Sequence, residues 1–335
     1  MSEVGIKDTN SMELTVQEAE LYDRQIRLWG LESQKRIRAA RILICGINGL
    51  GAEISKNIIL AGVKSVTFLD HNVVSEADRC SQFLVPVSTL GQNRAEASLT
   101  RAQALNPMVE LKADKDVVSE KPDEFFTSFD VVIVIGAPRR EMIRINNACR
   151  MKGVKFFGTD VWGMFGYCFA DLQEHQFIED VFKHKIISKE QDKVKTELIA
   201  VPTKKTLLFP PLQDVFEFDC RKREYLKTVK RKGFALMMFM ILHRFREEQK
   251  RDPCFKKAPE DHAILLQYRD ELASGIIPDS AFTHLYSQIS PAAAIVGGVV
   301  GQEVIKSVSQ KEAPHHNLFF FDPERGDGYI ETIGI

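Results

Sequence analysis

The stretch Arg41-Ile42-Leu43-Ile44-Cys45-Gly46-Ile47-Asn48-Gly49-Leu50-Gly51, followed by Ile54, Ile58, Ile59, Gly62 and Val66–Asp70, decides the fold. Arg41–Cys45 is a short apolar run that reads as a strand. The turn from Gly46 to Gly51 opens a helix carrying Ile54, Ile58 and Ile59, and Gly62 stands where a left-handed C-terminal cap is wanted. Val66–Leu69 then reads as a second strand ending in Asp70. This is one βαβ unit, and such units close right-handed onto a parallel sheet. Glycines between strand and helix let backbone N–H groups approach phosphate oxygens at the helix N-terminus. An acid at the end of the next strand is placed for ribose hydroxyls. The same glycines also serve close helix–strand packing with no ligand. Asn48, where nucleotide binders of this kind usually have glycine, adds a side chain where phosphate would approach and tilts the turn toward an emptied site.

Downstream the alternation continues. Arg94–Leu105 reads as a helix stopped at Asn106-Pro107, and Val109–Ala113 as a strand. Val131–Ile135 is five aliphatics, a strand buried on both faces. A helix over Arg140–Lys152 and a strand over Val154–Gly158 follow. The expected fold class is α/β, a Rossmann-like doubly wound and mostly parallel sheet with N-terminal helices and a C-terminal β-hairpin. Thr15 and Glu18 form a capping box for the first helix, which runs past Tyr22 and Ile26 toward Trp29 and stops at Gly30. Residues 1–13 are polar and are expected to be flexible. Residues 14–172 form the first part of the domain. The charged, weakly periodic segment 173–205 is expected to be a mobile insertion or long loop. Residues 206–335 supply helices, including Phe234–Phe245, His262–Leu272, Phe282–Ile289 and Ala292–Ser307, and a terminal hairpin of Leu318–Phe321 and Tyr329–Ile333. The small residues of Ala292–Ser307 predict a helix lying very close to the sheet.

Composition bounds the function. The 335 residues are 44% hydrophobic and 27% charged, with a formal net charge of −1, so bulk charge argues against nucleic acid or an anionic membrane as the main partner. The longest apolar runs, Gly233–Leu242 and Pro291–Gly301, are short for a bilayer. Six cysteines at 45, 80, 149, 168, 220 and 254 have no zinc-like spacing, and reduced thiols are expected. No metal-ligand set is expected. The basic residues from Arg221 to Lys232 read either as a nuclear import signal or as a solvated helix face.

Tyr22-Asp23-Arg24-Gln25-Ile26-Arg27-Leu28-Trp29-Gly30 lies ahead of the first strand, where a nicotinamide-dependent oxidoreductase has no use for it. Either guanidinium could be lent to a polyphosphate, because arginine forks onto phosphate oxygens. The stretch resembles the Y-x-R-Q-I-x-x-x-G signature of ubiquitin-like-protein activating enzymes and their MoeB and ThiF relatives. Gly46–Gly51 resembles the family's G-x-G-G-x-G, Gln82-Phe83-Leu84 its N-R-Q-F-L, Gly91–Ala95 its G-x-x-K-A, and Asn106-Pro107 its N-P. Asn93–Ser98, Leu105–Val109 and Phe319–Asp322 are most similar to the small, cysteine-domain-lacking subunits of heterodimeric SUMO-activating enzymes.

The resemblance implies an adenylation fold and work as an obligate subunit. A large partner would carry the working site for ATP and Mg²⁺ and the catalytic cysteine, and SUMO would be met through the complex. Arg24, with Arg27 as a second candidate, would reach the partner's ATP in trans. The implied location is the nucleus, and also the cytoplasm. Gly46, Gly49, Gly51, Asp70 and Arg94 would line a degenerate pocket of low occupancy. Active members have an Asp just after the strand equivalent to Val131–Ile135, and here the positions are Ala137-Pro138. The family lysine is Arg94, and Arg79-Cys80-Ser81 breaks the Asn-Arg that precedes Gln82. Without the metal carboxylate much of the electrostatic stabilisation of adenylation is lost, so the isolated chain is expected to be inactive. No cysteine has the C-T-x-R-x-x-P context of a thioester nucleophile. The alternatives are a homodimeric MoeB/ThiF-like adenylyltransferase, the small subunit of another ubiquitin-like-protein activating enzyme, an oxidoreductase, and a scaffold with no catalytic part.

Overall fold

Eight strands form one sheet in the order β10-β9-β6-β5-β4-β1-β2-β3. They are β1 (Arg41–Cys45), β2 (Ser65–Leu69), β3 (Glu110–Asp114), β4 (Val131–Ile135), β5 (Lys155–Trp162), β6 (Phe165–Asp171), β9 (Leu318–Asp322) and β10 (Asp327–Glu331). A separate pair, β7 (Glu174–Glu190) and β8 (Lys193–Leu208), forms a two-stranded antiparallel ribbon. The computed structural model describes residues 14–190, 193–322 and 326–334. The N-terminal segment expected to be flexible and Arg325 of the hairpin turn lie outside the described residues.

β3-β2-β1-β4-β5 are mutually parallel, with register Ile42↔Val66 on one side of β1 and Ile42↔Val131 on the other. Successive crossovers wind outward from β1 in both directions, so the strand order reverses beside it, and such a sheet opens a crevice at its carboxyl ends there. β4 is buried along its whole length, as a strand covered on both faces must be. β6, β9 and β10 extend the sheet antiparallel, and β9–β10 is the expected C-terminal hairpin.

The capping box forms: Thr15 N–H donates to the Glu18 carboxylate at 2.8 Å, and Glu18 N–H donates to the Thr15 hydroxyl at 3.2 Å. The helix it opens breaks at Tyr22 into Val16–Leu21 and Asp23–Trp29. Gly62 caps helix Gly49–Ala61 at φ +81°, and a Cβ there would meet the Tyr22 ring at 2.3 Å. Glycine is therefore required twice over, by conformation and by contact.

Two expectations are corrected and a third is refined. Segment 173–205 is not read as a long loop: its described residues 174–190 and 193–205 lie in the β7–β8 ribbon, whose base is tied by Ile178 N–H to the Gln310 carbonyl at 3.0 Å. Its apolar side chains alternate onto both faces, Phe177 and Val181 on one and Ile178 and Phe182 on the other, so no single apolar face marks it as a strand. Phe282–Ile289 is not a helix: a single 3₁₀ turn ends at Phe282. The carbonyls of His284 and Ser287 instead accept from Met164 and Gly163 N–H at 3.1 and 2.6 Å, a tertiary pairing that overrides local propensity. Finally, helix Ser290–Ser309 does lie close to the sheet, where a Cβ on Gly166 of β6 would meet Val296 at 2.6 Å, but its own glycines face another helix. A Cβ on Gly297 would lie 2.6 Å from that of Glu53, and one on Gly301 2.7 Å from that of Asn57. This 20-residue helix is long and apolar enough to cross a membrane, but 61% of its apolar window is buried inside the fold.

Candidate functional site

The Gly46–Gly51 turn sits at the carboxyl end of β1, as the βαβ pattern requires. Gly46 has φ +97°, and a Cβ on Gly51 would meet the Gly46 carbonyl oxygen at 2.2 Å. Two of the turn's backbone donors are engaged within the chain. Gly51 N–H donates to the Asn48 side-chain oxygen at 3.0 Å, so Asn48 caps the helix it precedes. Ile47 N–H donates to Asp70 at 2.8 Å. A Cβ on Gly49 would lie 2.1 Å from the Ser81 hydroxyl oxygen, which shows how closely Ser81 is seated on the turn.

Asp70 is buried at the end of β2. One carboxylate oxygen accepts from Asn72 N–H and the Asn72 amide, both at 2.9 Å; the other accepts from Ile47 N–H and from Arg94. Both oxygens are thus engaged before any ribose arrives. Arg94 bridges Asp70 at 2.8 Å and Asp78 at 3.1 Å, with its side chain only 14% exposed. One guanidinium between two carboxylates leaves a local excess of negative charge where a phosphate-binding cation is expected. The loop after β4 brings Gly136, Ala137 and Pro138 to the same crevice, and Ala137 supplies no metal ligand. Among the described residues no group of three His, Cys, Asp or Glu side chains could hold a metal ion. These residues do not fit a magnesium triphosphate.

Two adjoining cavities share Gly46, Asn72, Ile135 and Gly136. One, of about 320 Å³, is walled chiefly by Leu69, Val118, Val134, Ile135, Ala137 and Pro138. The other, of about 340 Å³, is polar and includes Arg94, Asp160, Trp162, Asp252 and Gln288. Behind the second, the buried Arg246 pairs with Asp160 and Asp252 and lies 4.7 Å over the Trp162 ring. Burial raises the Asp160 pKa against the opposing pull of Arg246.

Arg24 lies elsewhere. Its helix docks where the Gln25 amide donates to the Leu60 carbonyl at 3.1 Å. The Tyr22 hydroxyl beside it accepts from the Asn106 amide at 2.8 Å, joining the Tyr and Asn-Pro motifs. Both contacts are at the C-terminal end of helix Gly49–Ala61, whose 13 residues span about 20 Å from the Gly turn. Arg24 is exposed. Neither an ion pair nor a hydrogen bond holds it among the described residues, and Glu20 does not pair with it. Arg27 pairs with Asp23 at 3.0 Å, both well exposed. The fold therefore gathers Gly46, Gly49, Gly51, Asp70 and Arg94 at one end of this helix and leaves Arg24 and Arg27 at the other.

Four cysteines, 45, 149, 168 and 220, are buried, and desolvation raises each thiol, Cys149 to about 12. Such thiols are poor nucleophiles. Sequence reasoning missed Asp78 and the Asp160–Arg246–Asp252 network, which join residues too far apart for any local signal. The Arg79-Cys80-Ser81 break was the visible trace of Ser81's position.

A ThiF family model matches residues 22–333. The chain is 42% identical over 339 residues to a SUMO-activating enzyme subunit 1 of Xenopus tropicalis, covering 96% of this chain and 97% of that one. It is 40% identical over 334 residues to the protein of that name from Homo sapiens, covering 96% of each. The crystal structure of selenomethionyl PaaA superposes with a TM-score of 0.58 at 13% identity, covering 98% of this chain and 78% of that one, a likeness of fold alone. With the sheet order, the Gly turn and the Tyr22–Gly30 helix in place, this chain belongs to the ThiF family.

Proposed function

We propose that this chain is the cysteine-domain-lacking subunit of a heterodimeric SUMO-activating enzyme, inactive alone, lending Arg24 to an ATP site on its partner. The partner binds ATP and Mg²⁺, adenylates the SUMO C-terminal glycine and takes it as a thioester on its own cysteine. The observation that carries the reading is the separation of the two sites. The chain's own Gly turn is closed by Asn48, Asp70, Arg94 and Ser81, while its exposed motif arginine points to no acid of its own. The full-length likeness to proteins named SUMO-activating enzyme subunit 1 supplies the choice of SUMO.

The apolar side chains Leu21, Leu28, Leu31, Leu60 and Ile295 are exposed on the N-terminal and neighbouring helices. Helices Leu31–Ala39 and Gly49–Ala61 pack with helix Ser290–Ser309, and helix Asp23–Trp29 packs on Leu31–Ala39, giving a surface suited to burial against a homologous half. Nuclear residence, with some cytoplasmic protein, follows from the same reading. The test is to co-purify the chain with a large-subunit partner, add SUMO, ATP and Mg²⁺, and run a non-reducing gel. SUMO should appear as a thiol-sensitive adduct of the partner; an adduct on this chain would overturn the assignment.

A further inference from the structure

Across the sheet from helices Gly49–Ala61 and Ser290–Ser309, a cavity of about 430 Å³ lies between helices Arg139–Met151, Leu212–Glu217, Ala235–Gln249 and Ala258–Ala273. It shares no lining residue with the two cavities beside Gly46. Phe216, Met240, Ile241 and Leu272 give it apolar walls, and its volume suits a small ligand. Four charged side chains line it, and two of them cancel. Arg244 pairs with Glu248 and with Glu271, both at 2.7 Å, and lies 4.2 Å over the Tyr268 ring, whose hydroxyl donates to Glu248 at 2.6 Å. That leaves Arg139 and Glu247, and neither has an ion pair or hydrogen bond among the described residues. Arg139 is held by stacking 4.6 Å over the Phe216 ring rather than by an acid. Glu247 follows His243 by one turn of the same helix, so both present to one face. His243 is buried, and the Tyr167 hydroxyl, which donates toward Met142 Sδ at 3.8 Å, accepts from its Nε2–H at 3.0 Å. Nδ1 is then an acceptor with no partner, desolvated with nothing in return. Burial, with Arg246 and Arg139 nearby, keeps the ring neutral. Two free acceptors one turn apart, with a free guanidinium beside them, complement an ammonium next to a carboxylate.

We propose that this cavity binds a free α-amino acid with a large apolar side chain. The ammonium donates to Glu247 and to His243 Nδ1, the carboxylate forks onto Arg139, and the side chain lies against Phe216, Met240 and Leu272. A peptide carries its two terminal charges at opposite ends, so a free amino acid is the ligand that brings both to one point.

The test is equilibrium dialysis of labelled L-phenylalanine against the full-length chain, with one bound per chain expected. Phenylalaninamide, which lacks the carboxylate, and 3-phenylpropanoate, which lacks the ammonium, should each compete about tenfold more weakly, because each loses one charge-assisted contact. Arg139→Ala should weaken phenylalanine about tenfold and leave phenylalaninamide unchanged. Glu247→Gln should weaken phenylalanine to a similar extent and leave 3-phenylpropanoate unchanged. Should either variant unfold, the comparison of the three ligands on the unaltered chain decides alone. No phenylalanine bound at 10 mM, about the weakest affinity two such contacts would leave, overturns the site. 3-Phenylpropanoate or phenylalaninamide competing as well as phenylalanine contradicts recognition of both charges and sinks the proposal, as does binding indifferent to both folded variants.

Discussion

Arg24→Ala separates assembly from chemistry. Arg24 is exposed and unpaired among the described residues, so its removal should change the stability of this chain by no more than about 0.5 kcal/mol. Its own Gly turn is about 20 Å away along helix Gly49–Ala61, and on the proposed reading its target is the partner's nucleotide. A forked, charge-assisted contact to polyphosphate in a poorly hydrated cleft is worth more than a surface ion pair. Arginines donated in trans contribute about 10³–10⁵ in rate in phosphoryl-transfer enzymes that cleave at the γ-phosphate. Adenylation attacks the α-phosphorus, so the nearer analogy is removal of one preorganised donor, which costs on the order of 10²-fold or about 2.7 kcal/mol. Arg24→Lys keeps the charge, loses the fork and should recover only part of the loss. The assay is SUMO-dependent exchange of pyrophosphate into ATP on purified heterodimer, with assembly checked by size-exclusion chromatography. Near-normal exchange by an assembled Arg24→Ala heterodimer would make Arg24 an ordinary surface residue and refute the reasoning.

None of the six single Cys→Ala changes should abolish the thioester of the assembled complex; loss on one correctly assembled mutant would contradict the assignment of the thioester to the partner's cysteine. Limited proteolysis should cut first within 173–205, and replacing this part of the β7–β8 ribbon by a short turn should leave adenylation intact, since a two-stranded ribbon alone is marginally stable. Protection of the ribbon with cuts elsewhere would count against it. Gly62→Ala should destabilise the chain by about 2–3 kcal/mol, because it combines φ +81° with a 2.3 Å contact to the Tyr22 ring; denaturant unfolding measures it, and a neutral result would contradict the close packing. His175 is buried, and desolvation lowers its pKa to about 4. Below its ordinary value of 6.5 the unfolded chain binds a proton that the folded chain does not, so stability falls with pH from 6.5 toward 4. At pH 5 this amounts to roughly 2 kcal/mol. Urea titrations of His175→Gln at pH 7 and 5 should lack that share of the loss; an unchanged pH dependence would refute it.

The parallel half of the fold was legible because its signals are local. Strand β1, the Gly turn, the Gly62 cap and the five aliphatics of β4 each announce themselves within a few residues. β6 was missed, and Phe282–Ile289 was misread, because both are set by partners distant in sequence. The ribbon carries apolar residues on both faces and so has no period for a reader to find. For the site, the family motifs gave the positions, and Ala137 with Arg94 gave the expectation of a degenerate pocket. How the pocket is closed could be read only in part: Asn48 stood out in the turn, but Asp78 and Ser81 are ordinary residues until their contacts are seen. The placement of Arg24 at the far end of the helix from the Gly turn likewise exists only in three dimensions.

The central claim is that this chain is half of a working site and holds none of its own. Carboxylate-dependent pyrophosphate exchange, measured on the purified chain alone and again after its large-subunit partner is added, tests it most directly. The account predicts no exchange above background for the chain alone and full exchange once the heterodimer forms. Robust exchange by the chain free of any partner would contradict it.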